Sequence, residues 1–105
     1  MWEVRYHEDA EKELKELPTR ERVALANAAQ KLEAFGPQLP SPHQSKVMGS
    51  TLRELRPRGG NSPWRAFYQR IGDVFFIGAI GPEAQVDKRK FNRAVEEAQR
   101  RMEET

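Results

Sequence analysis

An apolar run in the second half of the chain limits the available folds more than any other feature. Val74–Ile80 contains no polar residue, as expected for a central strand covered on both faces. The preceding segment, Trp64–Ile71, alternates between two sides like a strand, and Gly72-Asp73 suits a two-residue hairpin turn. Gly78 marks a point where another backbone could approach closely, and Gly81-Pro82 is predicted to end the strand. A β-hairpin is therefore expected at the centre of the fold.

The rest of the chain predicts two more strands and three helices. We predict a strand at Trp2–Tyr6, helices at about Glu8–Leu17 and Arg20–Phe35 with Thr19 as a cap, a loop at Gly36–Ser45, a strand at Thr51–Arg58, and a last helix, capped by Asp87, to about Glu104. Short turns between neighbouring strands favour antiparallel pairing. The predicted fold is α+β, an antiparallel sheet of about four strands with an N-terminal helical hairpin and a C-terminal helix, in the order β-α-α-β-β-β-α.

Length and composition indicate one small domain. The chain has 105 residues, of which 37% are hydrophobic and 32% charged, so we expect a single domain over residues 1–105 with a modest core. There is no cysteine, which excludes disulfide frameworks, thiolate zinc sites and cysteine nucleophiles. No apolar stretch is long enough to span a membrane and the N-terminus lacks a signal-peptide pattern. A cytoplasmic location without membrane contact is expected.

Positive charge is concentrated in the middle of the chain. Residues 46–71 contain six Lys or Arg against one acid, giving +5, whereas residues 1–45 carry −2 and residues 72–105 carry −1. Aromatic residues lie between these cations: Trp64, Phe67 and Tyr68. Such a mixture is typical of surfaces that neutralise phosphates and stack bases, although a solvated basic face would look the same.

The order of motifs in this basic block resembles a known family. Leu52-Arg53-Glu54-Leu55-Arg56 is followed by a glycine-rich turn, then Trp64-Arg65-Ala66-Phe67-Tyr68, then Gly72-Asp73 and the apolar strand. This succession resembles the phage-derived HigB-like branch of the RelE toxin superfamily. The resemblance implies a toxin that inhibits translation by cutting mRNA, usually within the ribosome, and that a cognate antitoxin holds in check.

Individual positions match the family unevenly. Glu54 and Arg56 match its "ELR" pair, and Arg65 and Tyr68 match the arginine and aromatic of the next strand. Members of this branch commonly follow the last strand with a Phe-x-Lys-Lys-Thr-like segment. Here the corresponding stretch is Ala79-Ile80-Gly81-Pro82-Glu83, without lysines.

Cleavage of RNA without a metal needs a base, cations for the developing phosphorane charge and a proton source. The two histidines, His7 and His43, are an unconvincing pair, so the chemistry would depend on arginines. Arg56 and Arg65 are predicted on successive strands, where their guanidinium groups could bind one phosphate. Both could instead pair with helix carboxylates. We take these two arginines as catalytic candidates, with Lys46 as a conceivable base, and expect neither a metal nor a cofactor.

Further residues are assigned to RNA binding or to orientation. Glu54 shares a strand face with Arg56 and either orients its neighbours or belongs to the site. Trp64 and Tyr68 could stack on bases, although large aromatic residues in small proteins are often core residues. Lys88 and Arg89 lie in the first turn of the last helix, where positive charge opposes the helix dipole, and a bound anion would reduce this repulsion. The candidate phosphate- and RNA-binding residues are Arg53, Arg58, Arg70, Tyr68, Trp64, Lys88 and Arg89.

Three functions compete. The first is an endoribonuclease toxin that acts on mRNA on the ribosome. The second is a protein of the same fold that has lost cleavage and acts with its antitoxin as a DNA-binding repressor, and the third is a toxin of the gyrase-targeting branch. The expected partners are an antitoxin, of helix-turn-helix type and with an acidic segment that covers the basic surface, mRNA on the ribosome, and operator DNA through the antitoxin complex.

Overall fold

The computed structural model describes residues 2–104. Its strands are β1 (Glu3–Tyr6), β2 (Gln44–Lys46), β3 (Arg53–Leu55), β4 (Trp64–Ile71) and β5 (Val74–Pro82). Its helices are α1 (Glu8–Lys15), α2 (Thr19–Phe35) and α3 (Lys88–Glu103), and short 3-10 turns lie at Gly36–Gln38 and Pro57–Gly60. The α+β class and the order of the predicted elements are confirmed, with one strand more than expected.

All five strands form one sheet in the order β1-β5-β4-β3-β2. The pairs β2–β3, β3–β4 and β4–β5 are antiparallel, as predicted, but β1 runs parallel to β5. The expectation of a wholly antiparallel sheet is therefore wrong. A tight turn forces antiparallel pairing only between the two strands that it joins, whereas the helical hairpin after β1 lets that strand enter at the edge in either direction.

Strand boundaries differ from the prediction at three places. The first two residues of β2 lie in the predicted loop Gly36–Ser45, where the nearby Pro40 and Pro42 indicate a loop and not a strand. The strand β3 is only three residues long. β5 continues through Gly81 and Pro82, where we expected it to stop. Pairing of these two residues with β4 explains the difference, since Gly81 lies opposite Arg65 and Pro82 opposite Trp64.

The central hairpin has an apolar layer on each face. The helical hairpin α1–α2 covers one face, where Leu25, Leu32 and Ile77 are fully buried, and α3 covers the other, where Phe67 and Ala98 are. A bulge in β5 skips Gly78 between the pairs Phe67–Ala79 and Tyr68–Ile77. The apolar run of β5 is thus used on both sides, as the sequence predicts.

Two close approaches depend on glycine. A Cβ on Gly81 would lie 2.6 Å from the Ala94 Cβ, and one on Gly78 would lie 3.1 Å from the Ala98 backbone. Both glycines therefore let α3 pack directly on β5. The prediction of a close approach at Gly78 is confirmed.

Helix caps agree with the sequence in one of two cases. The Asp87 side chain accepts a hydrogen bond from the Lys90 N–H at the start of α3, as predicted. Thr19, however, is the first residue of α2, and Pro18 precedes it without a side-chain cap. No helix within residues 2–104 is long and apolar enough to cross a membrane.

Candidate functional site

Arg65 on β4 lies at the centre of a buried ionic cluster. Its Nη2 donates to Glu83 Oε2 at 2.5 Å, and its Nε lies 3.6 Å from Glu54 Oε1. Its Nη1 donates to the backbone carbonyls of Ser62 at 2.6 Å and Trp64 at 2.9 Å. Only 1% of the residue is exposed, and this burial lowers the pKa of Arg65 while the two carboxylates oppose the shift.

Arg56 shares the Glu54 carboxylate with Arg65. Its Nε lies 4.0 Å from Glu54 Oε1, and its guanidinium approaches Gly60. Ser45 on β2 donates a hydrogen bond of 3.3 Å to the same Oε1. We call Glu54, Arg56, Arg65 and Glu83 the Glu54 cluster.

Arg56 and Arg65 are therefore close to each other, as predicted, but the group that lies between them is the Glu54 carboxylate of the protein itself. The side chain of Arg65 is buried and both of its terminal nitrogens donate to acceptors of the protein, so the prediction that it binds a phosphate directly needs correction: it positions Glu54 and Glu83. Arg56 is different, because 31% of its side chain is exposed. Of the two arginines, Arg56 is the one that is accessible from outside the protein.

A basic cavity of about 280 Å³ adjoins Arg56 between α2 and the end of β3. Its floor includes Val23, Ala24, Ala28 and Leu55, and its cations are Arg20, Lys31, Arg56 and Arg58, with His43 at the rim. None of the described residues that line it is acidic. We call it the α2 cavity.

Arg58 is less available than predicted. Its Nη2 donates to both Glu21 oxygens, at 3.0 and 2.9 Å, and this hydrogen bond is the main cause that lowers the pKa of Glu21. Arg58 also has a left-handed backbone with φ of 54°, a conformation that surrounding contacts must hold in place. The structure thus indicates a structural role for Arg58 as well as a place at the cavity.

Three other predicted residues meet in a second cavity of about 370 Å³ at the far end of β3 and β4. Arg53, Tyr68 and Arg70 line it together with Gln44 and Pro37. Lys46 lies opposite Arg53 on the edge strand β2, on the face opposite to Glu54. A role for Lys46 as the base beside Arg56 therefore has no support from the geometry.

The remaining candidates are dispersed. The ring of Tyr68 is 2% exposed and packs against Phe75 at 5.8 Å, so it cannot stack on a base. Trp64 lines one depression with Glu13 and Glu16, which disfavour a polyanion, and another that contains acids as well as the cations Lys90 and Arg93. Lys88 and Arg89 are exposed in the first turn of α3. Within residues 2–104 no group of acidic or histidine side chains could hold a metal ion.

Glu83 is the functional candidate that sequence reasoning missed. It follows β5 directly, in the stretch where the family lysines are absent, and its carboxylate forms an ion pair with Arg65. The signal available in the sequence was a lone acid next to the departure at Gly81-Pro82. Glu83 lies beside Arg65 only because β5 extends to Pro82 and pairs with β4 there, and the sequence did not predict this extension.

Comparison with known proteins gives one family and one fold. A model of the phage-derived Gp49-like proteins (DUF891) matches residues 12–77. No curated protein matches the sequence significantly.

Solved structures match over most of the chain. A free E. coli toxin RelE, in a double arginine-to-alanine mutant, is 21% identical with a TM-score of 0.64 over 90% of this chain and 95% of RelE. The match to the E. coli RelBE toxin–antitoxin complex has 22% identity and a TM-score of 0.58, and it covers 79% of this chain and 98% of the matched chain. The match to the archaeal RelE–RelB complex of Pyrococcus horikoshii OT3 has 23% identity and a TM-score of 0.58, and it covers 77% of this chain and 93% of the matched chain.

At these identities the structural matches establish the fold alone, and the HigB-like branch within the superfamily stays a prediction. The family model, in contrast, spans more than half of the sequence. The chain therefore has the fold of the RelE toxins and belongs to the family of phage-derived Gp49-like proteins.

Proposed function

We propose that this protein is the toxin of a toxin–antitoxin pair and cleaves mRNA on the ribosome without a metal ion. The observation that carries this proposal is the position of Arg56, which lines the α2 cavity and also lies 4.0 Å from Glu54. A partly exposed guanidinium beside a carboxylate supplies a phosphate ligand and a base at one place. Membership of a family related to RelE and the RelE fold support the same proposal.

The Glu54 cluster can supply the chemistry of strand cleavage. The contacts of the Glu54 carboxylate with Arg56, Arg65 and Ser45 all involve Oε1, which leaves Oε2 to take the proton of an RNA 2′-hydroxyl. The 2′-oxygen then bonds to phosphorus, the bond from phosphorus to the 5′-oxygen breaks, and that oxygen takes a proton from water. Arg56 stabilises the charge that builds on the phosphate oxygens. Arg65 holds Glu54 in place and does not touch the RNA.

An in vitro translation reaction tests the proposal. The purified protein, at a concentration above that of the ribosomes, should cut the mRNA and stop synthesis. Glu54→Gln and Arg56→Gln should each slow cleavage by about a hundredfold, the usual loss for one base or one charge-stabilising donor.

Arg100→Gln serves as the control, because Arg100 is exposed on α3 and its ion pairs are with Glu97 and Glu104, away from the Glu54 cluster. This variant should cleave like the unmodified protein, and thermal unfolding should show that all variants are folded. Intact mRNA and undiminished synthesis with the unmodified protein would contradict the enzymatic proposal.

The partner in this proposal is a cognate antitoxin. Relatives of the same fold have been solved as RelE–RelB complexes from a bacterium and an archaeon. The cations of the α2 cavity and of β2–β4 suit an acidic segment that becomes ordered on binding. The complex with an antitoxin of helix-turn-helix type would also bind operator DNA.

One observation favours the second function, a repressor subunit without cleavage. Glu54 and Glu83 offset the charges of Arg56 and Arg65, so the four side chains of the Glu54 cluster sum to zero. A neutral cluster attracts phosphate less than a cationic one. If this function is correct, expression of the protein alone leaves growth unchanged, while the complex with its antitoxin binds operator DNA with an affinity that falls steeply with salt.

A further inference from the structure

Three cations lie on one face of the sheet, away from the Glu54 cluster. Lys46 on β2 is paired with Arg53 on β3, which in turn is paired with Tyr68 on β4. Arg70 is two residues beyond Tyr68 and therefore on the same face, diagonal to Arg53 at about 7–8 Å between Cα atoms. The register places all three cationic side chains on one face, and two of them, Arg53 and Arg70, line the second cavity.

The two arginines of this group are held in place by neutral partners. Arg53 Nε donates to Gln44 Oε1 at 3.0 Å, and Arg70 Nε donates to the Gly72 carbonyl at 2.8 Å. The Arg70 guanidinium also lies over the Trp2 ring, 4.6 Å from its centroid. Within residues 2–104 neither arginine forms an ion pair, although Arg65 and Arg101 each bind two carboxylates.

An exposed arginine with an oriented guanidinium and no carboxylate is prepared for an external anion. Both Nε atoms are already engaged, and Arg53 also forms a hydrogen bond with the Tyr68 side chain, so the terminal nitrogens that these contacts do not use remain for the ligand. The cavity of about 370 Å³ between them lies within the range of small-ligand sites. The Tyr68 side chain lines its wall and Thr51 its rim, so hydroxyl groups stand beside the cations.

We propose that the cavity formed by Arg53, Tyr68 and Arg70 binds a backbone phosphate of single-stranded RNA that flanks the cleaved bond. This inference rests on the proposed function and deepens it. Arg53 and Arg56 are three residues apart on and just after β3, about 10 Å along an extended chain. Arg53 lies on the same sheet face as Leu55, which lines the α2 cavity together with Arg56, so one RNA strand that runs along this face can reach both arginines. A cavity, unlike a flat basic face, admits the splayed nucleotides of a single strand.

RNA is favoured over an acidic peptide by the chemistry of the wall. Two guanidinium groups can bind one phosphate in a bidentate manner, and the exposed Thr51 hydroxyl can bond to its remaining oxygens or to a ribose. The two aromatic residues of the lining, Tyr68 and Phe75, are only 2% and 3% exposed, so the cavity offers little aromatic surface to an apolar peptide side chain. A peptide would find little here to bury apart from its charges.

The test measures binding apart from cleavage. A fluorescein-labelled 2′-O-methyl RNA of roughly twelve nucleotides, which lacks the attacking hydroxyl, is titrated by anisotropy over a series of salt concentrations. Arg53→Gln and Arg70→Gln should each weaken binding roughly tenfold, as expected for one charge-assisted contact. Each should also reduce the slope of log K against log salt by about 0.7, the value for one phosphate of a single strand.

Arg5→Gln is the matched control. Arg5 is an exposed arginine on β1, the opposite edge of the same sheet, and its removal should change neither affinity nor slope. If Arg53→Gln and Arg70→Gln bind this RNA like the unmodified protein while remaining folded, the inference is overturned. It is also overturned if they lose affinity only for the antitoxin, since the cavity would then be a protein-docking site.

The proposed function can fail separately. An RNA that binds through Arg53 and Arg70 but is never cut would contradict the ribonuclease and leave the phosphate site standing. Conversely, cleavage with KM unchanged by Arg53→Gln and Arg70→Gln would uphold the ribonuclease and eliminate the second site.

Discussion

Arg65 illustrates how one side chain can determine the stability of the candidate site. Arg65→Ala would leave Glu54 and Glu83 without their shared cation and two backbone carbonyls without a donor. Loss of one partner from a buried ionic network typically costs about 3 kcal/mol or more. We therefore expect the free energy of unfolding in urea to fall by about 3 kcal/mol. Arg53→Ala, an exposed arginine on the adjacent strand, should change it by less than about 0.5 kcal/mol.

Arg65→Lys distinguishes the guanidinium from its charge. A lysine ammonium keeps the charge but cannot reach two carboxylates and two carbonyls in fixed directions. We expect little rescue, and full recovery with lysine would contradict the geometry described for this cluster.

The sequence predicted the residues of the site better than their roles. Strand periodicity placed Arg56 and Arg65 together, and the lone acid Glu54 among basic residues was correctly seen as their neighbour. Periodicity could not show that Arg65 is buried, because burial depends on Glu83, 18 positions later. Alternation along a strand gives the face of a side chain, but not which other segment covers it.

The two buried tyrosines should make the stability of the fold depend on pH in the alkaline range. Burial raises the pKa of both Tyr6 and Tyr68 to about 12 from 10.0; Glu33 and Glu11 add to the shift of Tyr6, and Arg53 opposes that of Tyr68. A raised folded-state pKa gives stability that is complete below pH 10 and is lost between pH 10 and 12. Tyr68→Phe should reduce this pH dependence, measured by urea unfolding across the window. Ionisation of both phenols near pH 10 in the folded protein would refute the prediction.

At the level of elements, α3 is fixed to the sheet by Arg101. Its Nη1 donates to the Gly78 carbonyl at 2.9 Å, and Nη2 binds Glu13 Oε2 at 3.0 Å. Glu13 also accepts the Ile80 N–H at the bulge of β5. One ion pair thus joins α1, α3 and the central strand.

Adjacent arginines on α3 provide a controlled comparison. Arg101→Ala should lower the free energy of unfolding by about 3 kcal/mol, because it leaves a part-buried carboxylate and a carbonyl unpaired. Arg100→Ala removes only exposed pairs within the helix and should cost about 0.5 kcal/mol or less. Urea unfolding of both variants checks the difference, and equal effects would contradict the structural role of Arg101.

Elements with a strong local pattern were predicted well. The amphipathic pattern gave α2 almost to the residue, and the paired strands around Gly72-Asp73 form the expected hairpin. β2 was missed because three residues next to prolines carry no periodicity, and their strand conformation comes from pairing with β3. Similarly, β5 passes Gly81 because that glycine makes room for Ala94 on α3, a tertiary reason that local turn propensity cannot express.

For the whole molecule, the parallel pairing of β1 with β5 ties together segments about seventy residues apart, such as Glu3 and Val74. The Glu13–Arg101 ion pair joins residues that are 88 positions apart. Both apolar layers of the described residues include side chains of the hairpin β4–β5. Neither the N-terminal nor the C-terminal half of the chain therefore forms a core by itself. This interlocking is the physical basis for expecting one domain.

Unfolding should consequently be a single transition across the molecule. Trp2 reports on the N-terminal segment through Phe75 and the Glu33 carbonyl, and Trp64 reports on β4. Trp64→Phe and Trp2→Phe each leave one tryptophan, since the chain has two. In urea, the fluorescence midpoint of each variant should coincide with its own far-ultraviolet circular dichroism midpoint, as in two-state unfolding of a small domain. If Trp2 fluorescence changes at clearly lower urea than helicity, the β1 edge unfolds independently and its pairing with β5 does not unite the fold.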